Sequence, residues 1–95
     1  MTSPLTISSR PVRASGLWVR QSGDETVLVD GEHDRVHVLN ETALALWELC
    51  DGETTIEEMV TAATGLFDAD HDRLQQDVLD ALLAMCDRGI IAIPG

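Results

Sequence analysis

Ninety-five residues carrying 17 acidic and six basic side chains, for a net charge of −11, describe one small acidic domain whose apolar residues must share a single core. A body of that sign repels phosphate, which excludes nucleic acid as a ready partner. No apolar run approaches the ~18 residues of a membrane span.

The N-terminus, MTSPLTISSR, lacks the apolar core of a secretion signal, so the expected location is cytoplasmic. The basic residues are all arginine. Arg10, Arg13 and Arg20 lie in the first 23 residues, which hold no acid, while residues 24–95 hold all the acids with Arg35, Arg73 and Arg88. Such a body attracts a basic peptide or the basic face of another protein. Cys50 and Cys86 both fall on apolar helical faces and read as buried free thiols.

Residues 1–15 are polar, contain Pro4 and Pro11 and show no period. They read as a flexible N-terminal arm that docks late or not at all, with the folded domain over 16–95. Leu17–Arg20 is a first short strand, and Ser22-Gly23-Asp24 a turn. Glu25–Asp30 is a second strand rich in β-branched residues. After the turn Gly31–Asp34, Val36 and Val38 alternate with His37 in a third strand, Arg35–Leu39. Short connections favour antiparallel neighbours, so these three form a meander with the third strand at an edge.

Asn40 is the N-cap of a first helix, with Leu39 and Leu44 at the positions of a hydrophobic staple. Asp51-Gly52 is the expected stop, with Gly52 in the left-handed C′ conformation. Thr55 and Glu58 form a capping box, or Thr54 and Glu57 in the alternative frame. Ile56, Met59, Val60, Ala63 and Phe67 recur at helical spacing. Asp68-Ala69-Asp70 is a turn with Asp70 the next N-cap, and a third helix runs from His71 to Arg88, ended by Gly89. Ile90–Ile93 is a short extended segment that can return to the core.

Placed at roughly 100° per residue, Leu74, Val78, Leu79, Ala81, Leu82, Leu83, Met85 and Cys86 cover an arc of roughly 200° on the third helix. A surface helix needs little more than about 100°. Either the domain buries both flanks or one flank meets something else.

No catalytic set emerges. His33, His37 and His71 lack metal-ligand spacing with either cysteine, and there is no phosphate-binding loop, no lysine and no G-x-S-x-G elbow. No metal and no cofactor are expected. Trp18 and Trp47 read as packing residues. His37 either faces solvent from its strand or lines a binding groove. The chain reads as a binding module and not an enzyme.

The run VLNETALALWELCDGETTIEEMV, followed by DVLDALLAMCDRGII, closely resembles the PqqD-like family, the RiPP recognition element or leader-peptide chaperone. The likeness extends from about Arg10-Pro11 to Ile91. It implies an α+β, winged-helix-like domain, a three-stranded antiparallel sheet followed by three helices. Members bind the leader of a ribosomally made precursor peptide as an added strand and present it to a modifying enzyme. Carried over by position, the groove would use Val36, His37, Val38 and Leu39 on the strand. On the helix it would use Leu74, Asp77, Val78, Ala81, Leu82 and Met85.

Many members carry an aromatic residue near the end of the third strand, where this chain has Val36 and His37. Leu46-Trp47-Glu48 looks more like the broad family than the subset devoted to pyrroloquinoline quinone synthesis. With no fused catalytic domain, the expected partners are a leader peptide and a separate enzyme, of radical-SAM, lasso-type protease/cyclase or similar kind. The alternative is a protein–protein adaptor or self-associating module, a homodimer formed through the third strand or third helix.

Overall fold

The computed structural model describes residues 5–66 and 70–93. Strands β2 (Leu17–Ser22), β3 (Glu25–Asp30) and β4 (Arg35–Val38) form an antiparallel sheet with β3 in the middle. Val19, Leu28 and His37 lie in one cross-strand row, and Trp18, Val29 and Val36 in the next, on the opposite face. Asp30 organises the β3–β4 turn. Its Oδ1 accepts the backbone N–H groups of Glu32 and His33, and its Oδ2 meets His33 Nδ1 at 2.9 Å.

Helix α1 (Glu41–Glu48) begins where the sequence places it. Asn40 Oδ1 accepts the Ala43 N–H at 2.7 Å, and Leu39 is buried beside the half-buried Leu44. Its end is earlier than expected. The C-cap is Leu49, so Gly52 is not the C′ residue. Gly52 does take a positive φ of 81°, but in the following turn, where Asp51 Oδ1 accepts from Glu53 and Thr54. The side-chain acceptor and the glycine build a turn there, after the helix has already closed.

The capping box of α2 (Ile56–Leu66) is the Thr55–Glu58 pair. Glu58 Oε1 accepts the Thr55 N–H at 3.0 Å, and Thr55 Oγ1 accepts the Glu58 N–H at 3.1 Å. Phe67 and the Asp68-Ala69 half of the following turn lie outside the described residues. Helix α3 (His71–Asp87) has Asp70 at its N-cap position, without a side-chain cap bond. It ends in a Schellman motif: Gly89, at φ 74°, donates to the Cys86 carbonyl and Ile90 to that of Met85.

The N-terminal segment departs from the expectation of an arm. Over residues 5–15 it is laid on the domain. Leu5 joins the core at 5% exposure and Pro11 is fully buried. The carbonyls of Ser9 and Ile7 accept the N–H groups of Ile56 and Glu57 and so satisfy the start of α2. Val12–Arg13 forms a strand, β1, paired antiparallel with β5 (Ile91–Ala92), the returning segment after α3. The core lies between these layers and centres on Leu28, Trp47, Ile56, Met59, Leu82 and Ile90. Trp47 donates its indole N–H to the Ile90 carbonyl and carries the Arg13 guanidinium over its ring at 5.6 Å.

Trp18 is not part of this core. It is 52% exposed on the outer sheet face, with its ring where a Cβ on Gly31 would come within 2.7 Å. Gly31 is therefore a close-approach glycine, and its lack of a side chain seats the indole.

Candidate functional site

The alternation along β4 places its histidine inward. His37 is paired with the fully buried Leu28 and is itself 9% exposed, whereas Val36 and Val38 are each 60% exposed. This corrects the reading of His37 as solvent-facing, and its ring does not line a groove either. His37 Nε2 is buried without a hydrogen-bond partner among the described residues. What β4 offers outward is its backbone and two valines. Among the described residues its only sheet neighbour is β3, and its other side carries N–H and C=O groups that no described strand pairs.

Two clefts follow one face of α3, and the smaller adjoins the end of that edge at Val38. The smaller, of about 190 Å³, is lined by Val38, Leu39, Asn40 and Ala43 on one side and Ala81, Ala84, Met85 and Arg88 on the other. The larger, of about 400 Å³, lies past the first turn of α1 and is floored by α2. From α3 it takes Leu74, Asp77, Val78 and Ala81; from α1 and its C-cap, among others, Glu41, Thr42, Ala45 and Leu49.

The structure thus places seven of the ten expected residues along the clefts. Val36 stands on the β4 edge, on the sheet face opposite His37, and lines neither cleft. Val38, Leu39 and Met85 line the smaller cleft, Leu74, Asp77 and Val78 the larger, and Ala81 both. The other two that line no cleft are His37 and Leu82, both buried. Leu82 is fully buried at the centre of the core and reaches neither cleft. Its place on the apolar arc of α3 is explained by packing within the domain.

Ala84, Arg88, Glu41 and the α1 wall were not expected. The signal for Ala84 and Arg88 is their spacing, each seven residues beyond an expected position, Asp77 and Ala81. The wide arc of α3 resolves into three parts. Val78, Leu82 and Met85 are buried, Leu74 and Ala81 open to the clefts, and Leu79, Leu83 and Cys86 are half-buried against the core.

Nothing at these clefts is built for covalent chemistry. Both cysteines are free. Burial pushes the Cys50 thiol up to about 12, and its Sγ donates to the Leu46 carbonyl; burial also raises Cys86. Thiols so raised are poor nucleophiles at neutral pH. Among the described residues no group of three or more His, Cys, Asp and Glu side chains could hold a metal ion. No helix among them is long and apolar enough to cross a membrane.

The fold is a small α+β domain with an open strand edge beside a cleft on a neighbouring helix, a geometry that can take an extended ligand. The profile of the family described as coenzyme PQQ synthesis protein D, PqqD, matches residues 25–91, and the chain belongs to that family. No curated protein matches the chain.

Solved structures share the fold at low identity. The solution structure of the PqqD truncation of Methylobacterium extorquens PqqCD, a RiPP recognition element, is 23% identical, with a TM-score of 0.76 over 93% of this chain and 94% of that one. Lasso peptide synthetase B1 complexed with its leader peptide is 19% identical, at 0.73 over 87% and 98%. TbiB1 in complex with the TbiA(beta) leader peptide is 20% identical, at 0.72 over 84% and 93%.

Proposed function

We propose that this chain is a leader-peptide chaperone. It binds the leader of a ribosomally synthesised precursor peptide as an added strand along β4 and presents it to a modifying enzyme. The observation that carries the reading is the β4 edge, unpaired among the described residues, whose end at Val38 opens into the smaller cleft along α3. Main-chain bonds to the edge supply affinity for any extended peptide, and alternate side chains entering the clefts supply selection. Structures with this fold have been solved with leader peptides bound. The chain itself does no chemistry in this reading, acts in the cytoplasm, and works with an enzyme of radical-SAM, lasso-type protease/cyclase or similar kind.

Fluorescence anisotropy of labelled leader peptides from candidate precursors tests the reading. One of them binds saturably to the wild-type domain and is displaced by its unlabelled form. Absence of binding by every leader tried, with the domain folded, overturns it. The exposed Val36 and Val38 on an open edge also suit self-association. A dimer that persists when the domain is saturated with leader favours that second reading.

A further inference from the structure

The two clefts are one helix face repeated. Leu74, Asp77, Val78 and Ala81 face the larger; the residues seven positions on, Ala81, Ala84, Met85 and Arg88, face the smaller. At a rise of 1.5 Å per residue, that offset is about 10 Å along the helix. An extended peptide covers this distance in about three residues. Side chains on one face of a strand recur every second residue, so the smallest spacing that reaches both clefts is four.

The repeat is chemically unequal. The larger cleft carries Asp77 where the smaller has Ala84, and it is also rimmed by Glu41 from α1. The smaller carries Arg88 where the larger has Ala81, and no acidic residue lines it. Glu41, Asp77 and Arg88 are exposed, and none of them is in an ion pair among the described residues.

Resting on the leader-binding reading, we infer that the groove selects a dipolar peptide motif. Two apolar anchors stand four residues apart, the bulkier for the cleft at Leu74–Ala81 and the smaller for the cleft at Ala81–Arg88. A basic side chain flanks the bulky anchor, facing Glu41 and Asp77, and an acidic one flanks the small anchor, facing Arg88. The smaller cleft adjoins Val38, so the strand-paired stretch of the peptide lies on the small-anchor side. The net acidity of the domain would favour any basic peptide; the lone arginine at one cleft makes the preference positional, which bulk charge cannot do.

Selection of a displayed library of random peptides, long enough to pass both clefts, against the folded domain tests this. Enriched peptides carry the two anchors with the basic residue on the bulky side and the acidic residue on the small side. Exchanging the two charges in a synthetic winner weakens binding about fivefold at low salt and less at high salt. Against the variant Glu41→Lys, Asp77→Lys, Arg88→Glu the enriched charges exchange places. Against Asp77→Asn, Arg88→Gln, which alters the rim least and serves if the reversal disturbs the fold, the charge preference flattens.

Winners whose charges are random, or unchanged against the reversed rim, overturn the dipolar motif while leaving leader binding intact. Winners whose amide shifts bypass β4 and α3, or no enrichment at all, overturn the leader-binding reading itself, and the motif with it.

Discussion

Trp47 donates its indole N–H to the carbonyl of Ile90, 3.1 Å away, in the buried centre of the domain. The same carbonyl accepts the backbone N–H of Ala14. One oxygen thus joins α1, the turn closing α3 and the N-terminal segment, and the helix that lines the clefts is fixed at its C-terminal end. Trp47→Phe leaves the carbonyl its second partner, so the loss is one hydrogen bond plus part of a ring, about 1–2 kcal/mol. Urea denaturation followed by circular dichroism measures it, and a neutral result would show that this contact holds nothing together.

The N-terminal segment should behave as part of the fold. Leu5 is 5% exposed within the core cluster. Leu5→Ala is expected to cost about 2–5 kcal/mol, the range for a buried leucine truncated to alanine. Deleting residues 1–9 removes in addition the two carbonyls that satisfy Ile56 and Glu57, and lowers the melting temperature further. An unchanged melting temperature in both variants would return residues 5–9 to the status of a loose arm.

Acid should unfold the domain through its turn and cap carboxylates. Burial alone would raise the Asp30 carboxyl, but the His33 ring and the N–H groups of His33 and Glu32 outweigh it and hold it below its ordinary value. The N–H groups of Glu53 and Thr54 lower Asp51, and that of Thr55 lowers Glu58. A carboxylate held below its unfolded value stabilises the fold fully above about pH 4, and that stability is lost as pH falls through the lowered value. Melting temperature against pH should therefore drop on the acid side. In Asp30→Asn it starts lower and falls less steeply below about pH 4. Parallel curves would remove Asp30 from the account.

Adjacent positions on α3 should separate binding from stability. Ala81 is half-buried and lines both clefts, while Leu82 is fully buried. Ala81→Glu places a charge in the groove and is expected to abolish leader binding with the fold intact. Leu82→Ala is expected to cost about 2–5 kcal/mol of stability and to leave affinity nearly unchanged in the molecules that remain folded. Calorimetric titration alongside thermal melts of both variants checks the pair.

The features legible in the sequence are the local ones. Asn40, the Thr55–Glu58 box and Gly89 act on their own helix ends within a few residues, and the structure uses all three. Strand β1 was not legible, because two residues have no period and their partners, Ile91 and Ala92, lie at the far end of the chain. The facing of β4 was not legible either. Alternation states that Val36 and Val38 share a face, but Leu28 on the neighbouring strand decides which face is inside. Family likeness pointed to α3, and the clefts lie along that helix. The difference between Ala81 and Leu82 needed the walls contributed by α1 and α2, which no periodicity in α3 contains.

The most direct test is a two-dimensional NMR titration of labelled domain with a leader peptide that binds it. The account predicts large amide shifts at Arg35–Val38, where the new strand pairs, and along Leu74, Asp77, Ala81 and Arg88, with β1, β5 and the exposed face of α2 quiet. Saturation with those β4 amides unmoved would contradict strand addition.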